Sequence, residues 1–116
     1  MKSANGIPFS YILALFEKNV NIDETTFWFE GEPCGEMHYL GCLPDVNPEK
    51  PYWAGYCDLP DGFECATAKE LFDAPYYDGK SLKKRWSEVH IYEIGYVPPE
   101  LFMEWHADDF PPDAYE

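Results

Sequence analysis

Thr25-Thr26-Phe27-Trp28-Phe29-Glu30 (TTFWFE) is the stretch on which the fold turns. Successive β-branched and aromatic side chains favour an extended strand, and Gly31-Glu32-Pro33 breaks it at once. Upstream the period is different. Phe9, Ile12, Leu13, Phe16 and Val20 recur at helical spacing, with Ser10, Glu17 and Lys18 opposite, which predicts an amphipathic helix over residues 8–18. Pro8 suits a first helical turn, Asn5 or Ser3 can cap ahead of it, and Asn19 is a natural stop.

Downstream, Glu36–Cys42 (EMHYLGC) and Tyr52–Asp58 (YWAGYCD) read as two further strands, joined by the proline-rich loop LPDVNPEKP. Three neighbouring strands with short connections predict an antiparallel meander. Pro60-Asp61-Gly62 signals a turn, and Thr67-Ala68-Lys69-Glu70 matches a capping box opening a short helix that Pro75 stops. Ser81 is read as opening a second helix, with Leu82, Trp86 and Val89 on one face and Lys83-Lys84-Arg85 on the other. Val89–Ile94 (VHIYEI) is a fourth strand ended by Gly95. Pro98-Pro99-Glu100 then starts a last helix expected to turn Leu101, Phe102 and Trp105 inward.

The predicted fold is α+β: a small, mostly antiparallel sheet of about four strands, with the N-terminal helix and two or three short helices on one face. Residues 1–107 form one domain, and 108–116 (DDFPPDAYE) read as a loose acidic tail.

The charge is unevenly placed. The chain has 22 acids against 8 bases, a net charge of −14. From Trp86 to Glu116 there is no Lys or Arg but eight acids, and from Asn19 to Glu49 no base but seven acids. A surface of this kind repels nucleic acid and anionic membranes and attracts basic partners. Hydrophobic residues make up 46% of the 116, so the charge does not enforce disorder. No segment has the length of a membrane span and none has the pattern of a signal peptide, which points to a cytoplasmic protein.

Cys34, Cys42, Cys57 and Cys65 follow a C-x7-C-x14-C-x7-C spacing without the tight knuckle of structural zinc sites. They are expected to be core thiols, with zinc ligation or a disulfide as the alternatives. A metal set of His38, Cys42, Cys57 and His90 across adjacent strands is conceivable, but no spacing selects it.

No catalytic motif stands out. His38, His90 and His106 are the only histidines, and no nucleophile signature surrounds any cysteine. With 22 acids, close carboxylate pairs carry no information, and no glycine-rich phosphate loop is present. Lys80, Lys83, Lys84 and Arg85 form the sole basic cluster, read as a solvated face that offsets acidity nearby. No cofactor is implied.

The remaining signal is acids interleaved with aromatics. Glu30 and Glu32 on one strand would project from one face roughly 7 Å apart, a spacing that can stand in for backbone phosphates. The expected partner-binding residues are Glu30, Glu32, Glu36, Asp45 and Glu49 from the first acidic stretch, and Glu100, Glu104, Asp108 and Asp109 from the second. In size, charge and aromatic content the chain resembles the small acidic inhibitors that bacteria and phages direct at nucleic-acid enzymes, namely immunity proteins and DNA-mimicking anti-restriction or anti-CRISPR proteins. The resemblance implies a non-enzymatic inhibitor docking on a basic partner such as a nuclease. A small structural or adaptor domain, or a zinc-binding domain, is the alternative expectation.

Overall fold

The computed structural model describes residues 1–33, 36–55 and 62–115. Helix α1 (Phe9–Lys18) follows Pro8 and turns Phe9, Tyr11, Ile12, Leu15 and Phe16 inward. It ends in a Schellman motif. Asn19 takes the left-handed conformation (φ 51°), its N–H reaching Phe16 O while the Val20 N–H reaches Leu15 O.

Among the described residues five strands follow: β1 (Thr25–Phe29), β2 (His38–Cys42), β3 (Tyr52–Ala54), β4 (Phe63–Cys65) and β5 (Val89–Glu93). They form one sheet in the order β4-β3-β2-β1-β5, with every pairing antiparallel. The meander is as the sequence predicts. The additional strand is β4, three residues directly ahead of the Thr67 cap. Glu36 and Met37 precede β2 rather than belonging to it. Gly55 follows β3 without belonging to it, and residues 56–58 of the strand predicted to Asp58 (Cys57 included), the Pro60-Asp61 turn signal and Cys34 lie outside the described residues.

Alternation along each strand separates two faces. Phe27 and Phe29, Leu40 and Cys42, Tyr52 and Ala54, and Val89 and Ile91 face inward, where α1 and α2 (Ala68–Asp73) cover them. Phe16 and Phe72 meet edge-on at 5.1 Å, the Tyr52 hydroxyl donates to Phe16 O (2.7 Å), and the Trp86 indole donates to Ile7 O (2.9 Å). The Thr67 cap forms as predicted, its Oγ1 accepting from the Glu70 N–H, although the Glu70 carboxylate takes the Thr67 hydroxyl.

One predicted element differs. Ser81 does cap, accepting from the Lys84 N–H (3.0 Å), but turns and a single 3₁₀ turn (Trp86–Glu88) follow instead of a helix. Val89 cannot serve that helix because it pairs with Phe29 in the sheet. The end of the chain is anchored at two points: Phe110 is buried and Tyr115 meets Tyr11 edge-on at 5.5 Å.

The outer edge of β5 is occupied. Ala4 N–H donates to Val89 O (2.7 Å), the Asn5 amide donates to Ile91 O (2.9 Å), and Ile91 N–H donates back to Asn5 Oδ1 (3.2 Å). The Asn5 carboxamide thus takes the place of a neighbouring strand and blunts an edge that would otherwise invite pairing.

Candidate functional site

The connection from α1 to β1 is held by two glycines. Asn21 is left-handed (φ 52°). A Cβ on Gly95 would collide with the Asn21 carbonyl oxygen, and a Cβ on Gly41 with that of Asp23. Only glycine lets the chain pass this close, and the passage fixes Asp23 at the end of the sheet where β1 begins and β5 ends.

From β5 the chain turns tightly. Ile94 and Val97 exchange both backbone hydrogen bonds (2.8 and 3.1 Å) around Gly95 (φ 55°) and Tyr96 (φ 69°). Two consecutive left-handed residues are the signature of a type I′ turn, which favours Asn, Asp or Gly at both positions. A second turn of this kind among the described residues obeys that rule: Tyr77 and Lys80 enclose Asp78 (φ 56°) and Gly79 (φ 77°). Tyr96 does not. An aromatic residue held left-handed costs about 1–2 kcal/mol, and here it leaves the ring 62% exposed. Partial desolvation, then the Glu24 and Asp23 carboxylates, raise the Tyr96 phenol, whose hydroxyl engages Glu24.

Helix α3 (Pro99–Trp105) closes the site. Its buried arc is narrow, Pro99 and Phe102, because it packs at the sheet edge against β5. Trp105 therefore does not turn inward as the sequence predicts: it is 62% exposed, and Leu101 is also exposed. Asn21, Asp23, Gly95, Tyr96, Val97, Trp105 and His106 line an open cleft of about 300 Å³. His106 is tilted onto Phe102 with ring centroids 4.3 Å apart. Among the described residues no Lys or Arg lines this cleft.

The predicted partner-binding acids divide between the two ends of the sheet. Glu100 and Glu104 lie one turn apart on the exposed side of α3, next to Leu101 and Trp105, and the exposed Asp108 and Asp109 follow. Asp45 and Glu49 are exposed in the β2–β3 loop, at the end of the sheet where β1 begins.

Glu30, Glu32 and Glu36 lie at the opposite end. Glu30 and Glu32 do not share a strand face, because β1 stops at Phe29 and both sit in the turn that follows. Each is drawn to a different histidine. Glu30 pairs with His90, which stacks flat on Trp28 (5.0 Å, 3°) on the outer face. Glu32 accepts from the Phe29 N–H (2.8 Å) and contacts His38 Nε2 (2.9 Å), against Phe27 on the inner face.

A smaller cleft of about 140 Å³ lies at this end. Its charges are matched internally. Arg85 lies over the Phe29 ring (3.6 Å) and reaches Glu88 (3.3 Å) and Asp78 (3.7 Å), beside the Glu32–His38 pair. No Ser, Thr or Cys lines it among the described residues.

The described members of the conceivable metal set, His38, Cys42 and His90, do not come together. His38 faces inward and His90 outward, and His38 and Cys42 stand at opposite ends of β2, about 13 Å apart along the strand. Cys42 and Cys65 are buried free thiols. Burial, then Asp23, raises the Cys42 thiol; burial, then Glu70, raises that of Cys65, with Lys50 opposing. Neither is poised as a thiolate. No group of three metal-ligating side chains occurs among the described residues, and none of their helices is long and apolar enough to cross a membrane.

Sequence reasoning missed Asp23, Tyr96 and Trp105 as site residues. A signal for Tyr96 was present, because Gly-Tyr between two β-branched residues is a tight turn with an aromatic tip. No known protein family, curated protein or solved structure matches this chain.

Proposed function

We propose that this chain is a non-enzymatic binding protein whose α3 end docks on a basic protein surface, such as the nucleic-acid groove of a nuclease, and blocks it. The observation that carries the reading is the cleft itself. Two exposed aromatic residues, Tyr96 and Trp105, line it together with Asp23, beside a helix whose solvent side carries Glu100 and Glu104. Interfaces concentrate their energy in such aromatic residues, and charge around them steers association. The strain kept at Tyr96 supports the same reading, since such strain gathers at functional positions. The opposite end of the sheet is a weaker candidate, because Glu30, Glu32 and Arg85 already have partners within the fold.

The experiment is binding of the purified chain to a basic nuclease at low and high salt, with double-stranded DNA as competitor. Salt-sensitive binding that DNA displaces supports the proposal. Binding that persists when Glu100 and Glu104 are both reversed to Lys contradicts it.

A further inference from the structure

We infer that the cleft between Tyr96 and Trp105 is a receptor for a single arginine side chain projecting from the basic partner; this rests on the docking role proposed above and names its anchor. At about 300 Å³ and open to solvent, the cleft is at the small end for ligand pockets and suits one side chain. Its walls are chemically specific. Two aromatic residues, Trp105 and Tyr96, and one acid, Asp23, line it, and no Lys or Arg among the described residues does.

A planar guanidinium satisfies both parts at once. It stacks on an aromatic face while its forked N–H donors meet a carboxylate bidentately. A lysine ammonium is a compact, strongly hydrated point charge without a plane to stack. The surroundings reinforce the choice of a cationic partner. Glu24 lies against Tyr96, while Glu100 and Glu104 lie along α3, so basic residues flanking the arginine would also meet carboxylates. The Gly95 and Gly41 contacts hold the Asp23 segment in place without a ligand, so little ordering opposes binding.

The test is an NMR titration of the whole chain with three short blocked peptides. Each has glycine–lysine flanks around a central arginine, lysine or citrulline. The chain has four tryptophans, and the Trp105 indole signal is identified by its loss in Trp105→Phe. We expect the arginine peptide to shift that signal and to bind about tenfold more tightly than the lysine peptide. The citrulline peptide, isosteric but uncharged at its centre, should bind no better than the lysine peptide. Asp23→Asn should remove the arginine preference.

Equal binding of all three peptides, with the Trp105 signal unmoved, would overturn the arginine receptor while leaving acidic docking intact. Binding of none would overturn the receptor and count against the docking role as well.

Discussion

Gly95 lies with its Cα against the backbone carbonyl of Asn21, so closely that a methyl group in place of its hydrogen would collide with that oxygen. The contact ties the β5–α3 turn to the α1–β1 connection, and with it two walls of the cleft. Gly95→Ala should therefore do double damage, straining a left-handed residue and separating the walls. We expect a loss on the order of 2–4 kcal/mol in chemical denaturation, and a similar loss for Gly41→Ala. A cost below about 0.5 kcal/mol, the range of ordinary surface changes, would contradict the close approach.

Tyr96 should show a trade of stability for binding. Tyr96→Asn places a residue tolerant of the left-handed region in the turn, so thermal stability should rise by about 0.5–1 kcal/mol. Affinity for a basic partner should fall in the same variant. A variant that lost stability would show that the turn is not strained.

Trp105 and Trp86 make an opposed pair. Trp86 is 1% exposed and its indole is bonded to Ile7 O, so Trp86→Ala should cost about 3–5 kcal/mol. Trp105→Ala should change stability by only about 0.5 kcal/mol, yet weaken partner binding at least about tenfold, as loss of an interface aromatic does.

These contrasts mark what the sequence could convey. TTFWFE, the α1 periodicity and the Thr67-Glu70 cap each carry a local physical signal, and each forms where the sequence places it. The antiparallel meander follows from them. Three features were out of reach because distant packing decides them. Phe63-Glu64-Cys65 is too short to show a period and becomes a strand by pairing with Tyr52–Ala54. Leu82, Trp86 and Val89 have helical spacing, but pairing with Phe29 takes Val89 into the sheet. Trp105 stands three residues from the buried Phe102, normally the same helix face, but α3 at the sheet edge buries too narrow an arc to include it. For the site, charge pointed to the acids of α3 but not to the cleft, which depends on two chain segments meeting at Gly95.

Charge reversal should separate the two ends of the sheet. Glu100→Lys with Glu104→Lys should slow association with a basic partner and flatten its dependence on salt. Glu32→Ala should leave association unchanged. It should instead cost about 1 kcal/mol of stability, because the Phe29 N–H loses its acceptor. Stopped-flow association across a salt series, with denaturation curves for each variant, distinguishes these roles.

Tyr11 predicts an alkaline limit. Its hydroxyl is buried with no hydrogen-bond partner among the described residues, and burial, then Tyr115, pushes the phenol up to about 12 from 10.0. The folded state then holds the proton more tightly than the unfolded state. The stability tied to that proton is complete below pH 10.0 and is lost as pH rises through about 12. Tyr11→Phe should lose less stability over this window, and at neutral pH it should be as stable as the parent or more so, since no hydrogen bond is given up.

The most direct test of the account is capture from a lysate of nucleic-acid-binding proteins on the immobilised chain, with Trp105→Ala and Glu36→Gln immobilised alongside. The parent chain and Glu36→Gln should retain the same basic protein at low salt and release it to double-stranded DNA, and Trp105→Ala should fail to retain it. A parent lane empty of basic proteins, or the same protein retained equally on Trp105→Ala, would contradict a docking site at the α3 end.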